Sequence, residues 1–193
     1  ALSFNSQSIN DILGEASLNC RATAADHQLY VTVLPSNISI RNDKWQLYSN
    51  HHLIFGDRIT IRDFVAESGA QKIVLNSKDN ATNDLEARFM MIDLEGASSL
   101  LNQPDVKMFG RVSGQIELQN FREHPVLKAD LISSDFVRFN RDTLGRILAG
   151  VQYDVDKQLL SFSKNTSVTL GNSTASVEGM LNMKDSVVKL NTR

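Results

Sequence analysis

Apolar and polar residues alternate with a period of two along almost all of this chain, the mark of strands with one dry and one wet face. Leu29, Val31 and Val33 share one side before a Pro35-Ser36-Asn37 turn. Ile38 and Ile40 start a short strand, Asn42-Asp43 turns it, and Trp45 and Leu47 follow. Leu85, Ala87, Phe89 and Met91 alternate with Glu86 and Arg88, and Val112, Gly114, Ile116 and Leu118 with Arg111, Ser113, Gln115 and Glu117. Leu127, Ala129 and Leu131 follow a turn over 121–125. A short strand is expected over 136–140. A long one over 144–154 turns Ile147, Ala149, Val151 and Tyr153 inward, and its Gly145 and Gly150 predict a bend or bulge. The last strand falls over 187–190.

Within this rhythm a unit is written twice, over 48–76 and 153–182. Leu53/Phe55, Ile59/Ile61 and Ile73/Leu75 in the first correspond to Leu160/Phe162, Val168/Leu170 and Val177/Leu181 in the second. Repeated meanders stack side by side into elongated sheets. One segment breaks the period: 93–102 fits a short helix with Asp93 as its cap and Leu94, Leu100 and Leu101 on one side, ended by Pro104. The expectation is an all-β, curled antiparallel meander forming an open, taco-shaped groove, with one short helix covering part of the apolar surface. A closed β-sandwich or jelly roll is the alternative. The whole of 1–193 reads as one repetitive β-domain. Ala1 opens mid-pattern on no signal peptide, as in a piece of a longer chain.

Composition removes several function classes. The 20 basic and 22 acidic residues leave a net charge of −2 and are scattered, whereas phosphate-backbone binding needs clustered cations. The single cysteine, Cys20, permits neither an internal disulfide nor a redox pair, and reads as a small buried side chain. No apolar run reaches the roughly 20 residues of a membrane-crossing helix. Phosphate-binding glycine loops, zinc-protease, nucleophile-elbow and calcium-loop motifs are missing, so neither an enzyme nor a cofactor is expected. His27, His51, His52 and His124 read as solvated turn residues, and the adjacent His51 and His52 make poor co-ligands because neighbours in a strand point to opposite faces. Asp154 and Asp156 could share a face, yet they sit where solvated charges sit rather than across a cleft. Four Asn-x-Ser/Thr tripeptides, beginning at Asn37, Asn80, Asn165 and Asn172, match the N-glycosylation pattern, which matters only in a host that glycosylates.

The apolar face itself remains. Left uncovered, it would hold acyl chains at about 0.8 kcal/mol per buried CH₂ without any charged or catalytic group. The expected lining is Leu53, Phe55, Ile59, Ile61, Ile73, Leu75, Leu85, Phe89, Met91, Ile116, Leu118, Leu127, Leu131, Ile147, Val151, Leu160, Phe162, Val168, Leu170, Val177 and Leu181, with Leu100 and Leu101 plugging one end. Two other readings are a scaffold that pairs extended strands of other chains with its edges, and a glycan-binding sandwich, for which Trp45 and three tyrosines are the available aromatics.

The stretch Gly14-Glu15-Ala16-Ser17-Leu18-Asn19-Cys20-Arg21 on to Trp45, the strand Ile59-Thr60-Ile61-Arg62-Asp63-Phe64, and Gly110-Arg111-Val112-Ser113-Gly114-Gln115-Ile116-Glu117-Leu118 leading through Pro125-Val126-Leu127-Lys128-Ala129-Asp130-Leu131 to Asn140 resemble the C-terminal β-repeats of TamB-like proteins of the AsmA-like superfamily. The resemblance runs from Gly14 to about Asn182. It implies a periplasmic segment of a protein anchored in the inner membrane of a Gram-negative envelope. Such a segment would conduct phospholipids along a curled apolar sheet and support outer-membrane biogenesis. It further implies that the full-length protein meets an outer-membrane barrel of the TamA/BamA type.

Overall fold

The computed structural model describes residues 2–6, 13–40, 43–48, 51–78, 84–99, 107–121, 123–184 and 187–192. Nineteen strands run through them, every pairing antiparallel. The first are β1 (Leu2–Ser6), β2 (Leu13–Ala25), β3 (Gln28–Val33), β4 (Ser36–Ile40), β5 (Asp43–Leu47), β6 (His51–Phe55), β7 (Ile59–Arg62), β8 (Phe64–Ser68), β9 (Gln71–Ser77) and β10 (Leu85–Asp93). Helix α1 (Leu94–Ser99) follows. Then come β11 (Met108–Phe109), β12 (Arg111–Gln119), β13 (Val126–Ser133), β14 (Val137–Phe139), β15 (Asp142–Asp154), β16 (Leu159–Phe162), β17 (Ser167–Leu170), β18 (Ser173–Asn182) and β19 (Val187–Thr192).

The topology is simpler than this inventory, because several strands are halves of one row. Strand β2 pairs with both β3 and β4, β3 pairs with β6 and β4 with β5, β6 pairs with β7 and β5 with β8. Rows β9, β10, β12, β13 and β15 follow in chain order, then the split row β16 and β17, then β18 and β19. The short β11 and β14 extend the β12 and β13 rows along the first part of β15. This is an up-and-down meander. Among the described residues β1 pairs only with β2 and β19 only with β18, so no pairing closes the sheet. The two-sheet alternative is not realised.

The interruptions share a level. Val33 pairs with His51 and Ser36 with Leu47, so the break between β3 and β4 faces that between β5 and β6. His52 pairs with Arg62 and Gln46 with Glu67, which carries the line on to Asp63, at φ 51°. A sheet whose rows break at one level bends along that line. Each break leaves a neighbouring amide without a ladder partner, and side-chain oxygens take its place. Ser36 Oγ accepts from Asn19 N at 2.9 Å, Ser77 Oγ from Ile61 N at 2.8 Å, and Asn76 Oδ1 from Asp63 N at 2.7 Å. Ser133 Oγ accepts from Ile147 N at 2.7 Å; Thr166 Oγ1 accepts from Gly150 N at 3.2 Å and donates to Gly150 O at 3.1 Å. Buried amides left unpaired would cost about 1–3 kcal/mol each.

The buried cluster is Val33, Trp45, Leu47 and Ala66, with Leu18, Val31, Ile38, Ile40, Leu53, Phe64, Ile73 and Ile92 packed on it. Burying a large apolar side chain contributes about 1.5–3 kcal/mol. Gly145 shows the glycine requirement expected of β15: φ is +107° and an added Cβ would meet Thr169 O at 2.3 Å. The two repeat units take different paths. In the first, Gly56–Arg58 reverses the chain and Leu53 pairs with Ile61. In the second, 163–166 only interrupts one row, so β16 and β17 lie end to end between β15 and β18.

Candidate functional site

Register places the expected lining on one face. The rows read across as Val31, Leu53 and Ile61; as Phe64, Leu75 and Ala87; as Ala66, Ile73 and Phe89; and as Leu85, Leu118, Leu127, Tyr153, Leu160 and Leu181. Ile116 joins through Ala87 and Ala129, Leu131 through Ala149, Val151 through Phe162, and Ile147 through Val168. Alternation within their strands adds Phe55, Ile59, Leu170 and Val177.

Met91 is a correction. Phe89 pairs with Gly114 and Ile92 with Val112, so one extra residue is inserted, and Met91 sits in this bulge at φ 53° with its amide on Ser113 Oγ at 3.0 Å. Past the bulge the inner position passes to Ile92, which a strict period-two reading misses.

These side chains are not sealed. Of the expected lining, Ile61 is buried at 7% exposure, Phe55 and Leu170 are exposed at 38% and 50%, and the others are half-buried. The face deepens into a cavity of about 240 Å³ between β4 and α1, lined by Ile38, Ile40, Trp45, Leu47, Phe64, Ala66, Ile73 and Ile92, with Asp43, Gln71, Asp93, Gly96 and Ala97. From β4 to β10 is four row steps, roughly 19 Å if flat, so one cavity with both as walls requires the sheet to curl.

Helix α1 covers the cavity through Gly96 and Ala97, and a Cβ on Gly96 would lie 3.7 Å from Asp43 Oδ2. Asp93 caps it, its Oδ1 accepting from Glu95 N at 2.9 Å. The expected plug, Leu100 and Leu101, lies outside the described residues.

His51 departs from the solvated-turn reading. It opens β6 on the inner face at 0% exposure, and Asp63 O lies 2.6 Å from Nδ1, which must therefore carry the proton. The ring stacks, tilted, on Phe64 at 5.0 Å. Register points the odd positions of β6 inward, and the paired Val33 is buried too. Cys20, facing Val33, is half-buried rather than buried. On the surface, His124 Nδ1 meets Asp156 Oδ2 at 2.6 Å, a hydrogen bond that holds this imidazole above its ordinary value. Asp154 accepts from the Lys157 ammonium and amide, which pull its carboxyl down. The two carboxylates thus belong to turn contacts.

No described helix is long and apolar enough to cross a membrane. No protein-family model, no curated protein and no solved structure matches the chain.

Proposed function

We propose that the inner face is a track for hydrocarbon chains and that this domain is a non-enzymatic, lipid-conducting segment. The observation that carries the reading is a continuous apolar face whose side chains remain half-exposed across the sheet and deepen into an apolar cavity at Trp45. Chains bind such a surface through area alone, so neither a catalytic group nor a cofactor is required. The resemblance supplies the setting: an internal section of an inner-to-outer membrane bridge in a Gram-negative periplasm, carrying phospholipid acyl chains and supporting outer-membrane biogenesis. The barrel partner of the TamA/BamA type would be met by the full-length protein.

Native mass spectrometry of the purified domain tests this. Co-purified phospholipid is the expected result, reduced by Val151→Arg and Leu160→Arg in a folded protein. Lipid-free protein that also takes up none from vesicles would end the proposal. One observation favours a second reading: the outer edges of β1 and β19, which pair with no further strand among the described residues, could add strands of nascent outer-membrane proteins. In that case an unfolded barrel peptide would bind the domain, and the inner-face substitutions would leave binding intact.

A further inference from the structure

We infer that the α1 end of the cavity selects the head group of its guest, favouring an amphiphile with an ammonium head over one with an anionic head. The inference rests on the hydrocarbon-binding reading and adds the chemistry of the cavity's end. Three polar residues meet there from three rows: Asp43 opens β5, Gln71 opens β9 and Asp93 closes β10. Gln71 Nε2 donates to Asp43 Oδ2 at 3.0 Å, and Gln71 Oε1 accepts from Asp93 N at 2.9 Å, so the amide is held at both ends. The rest of the wall is apolar, with Trp45 and Ile73 beside this end.

Among the described residues no Lys or Arg lines the cavity. Two carboxylates with no lining Lys or Arg set a negative field, and the apolar walls beside them screen it less than open water would. An ammonium head gains a charge-assisted hydrogen bond at Asp43 while its tail lies along Trp45 and Ile73. A head with negative charge alone meets like charge at the same place, whereas a zwitterionic phospholipid can turn its ammonium group to Asp43.

Trp45, the chain's single tryptophan, reports the test directly. Its fluorescence is titrated at neutral pH with decylamine, decanol and decanoate, which share one tail. Decylammonium should bind roughly tenfold tighter than decanoate, with decanol between them. Asp43→Asn should narrow the ratio most, without weakening decanol. Asp93→Asn, which keeps a good helix cap while removing the charge, should narrow the ratio and stands in if Asp43→Asn fails to fold. Equal binding of all three ligands to the unaltered protein would overturn the selection and leave the hydrocarbon reading intact, as would an amine preference unchanged in both variants. No response to any of them would overturn both.

Discussion

Between β2 and β10 the inner face carries Trp45, Leu47 and Phe64 and is covered at one end by α1; between β12 and β19 the same face carries Gly114, Ala129, Ala149, Ala175 and Gly179. Both regions are built from the same antiparallel rows with the same alternation. Five of the buried apolar residues, Val33, Trp45, Leu47, Ile61 and Ala66, fall in the first region, and Ala129 and Val137 in the second. The difference lies in where large side chains converge: the second region also carries Leu118, Leu127, Tyr153, Leu160 and Phe162 on this face, yet they stay half-buried. In the first region Trp45, Leu47 and Phe64 meet in a core with a cavity under α1, whereas in the second Gly114, Ala129 and Ala149 interrupt the bulky rows. One sheet thereby holds a stabilising half and a more open half.

The largest expected effect tests this division. Leu47→Arg puts a charge at a 3%-exposed position inside the buried cluster and should cost about 4 kcal/mol or more. Val151→Arg, half-exposed on the second region, can hydrate its charge and should cost about 1 kcal/mol. Chemical denaturation measures both. Equal losses would mean that the second region is as closed as the first.

Backbone approach gives the next contrast. Gly145→Ala forces a Cβ toward Thr169 O at φ +107° and should destabilise by about 2–3 kcal/mol. Gly69 also has positive φ, +58°, but nothing lies within 4 Å, so Gly69→Ala should cost about 1 kcal/mol. A smaller effect comes from Ser133→Ala, which leaves the Ile147 amide unpaired at the break between β13 and β14, at about 1–2 kcal/mol. If Ser133→Ala melts like the unaltered protein, the hydroxyl is not what holds the broken row.

How much of this was legible follows from which physics is local. Period-two alternation fixes which side chains share a face, so the strands, the Asp93 cap and nearly all of the positions on the common apolar face can be read from residue order. A bulge cancels that parity. Met91 carries no composition signal, and only the register against Gly114 and Val112 shows the slip. The turn reading of His51 fails because adjacent polar residues resemble a turn, while its burial comes from Val33 and Phe64 across the break. The breaks themselves had a readable trace in Ser36, Ser77, Ser133 and Thr166, whose hydroxyls stand in for missing ladder bonds. The cavity depends on how far the sheet curls, a sum over many rows that no local pattern encodes.

The smallest effect sits on the wet face where the two regions join. Lys78, just past β9, reaches over β10 to Glu117 of β12 at 2.6 Å, with Glu86 at 3.9 Å. The hydrogen bond from Lys78, and then that from Gln119, holds the Glu117 carboxyl below its ordinary value; the same bond to Glu117 holds Lys78 above its own. A depressed carboxylate contributes stability that is present above its unfolded pKa and is lost as pH falls through the folded one. A raised lysine contributes below its unfolded pKa and loses it as pH climbs through the folded one. The pair therefore acts between the acid and strongly alkaline limits. Both side chains are partly solvated, so the contribution should be no more than about 1 kcal/mol. Glu117→Gln should lower the denaturation midpoint slightly at neutral pH, and the gap should close in acid, where the unaltered carboxyl is protonated. A gap that persists in acid would assign the loss to packing, and the junction would then owe nothing to this ion pair.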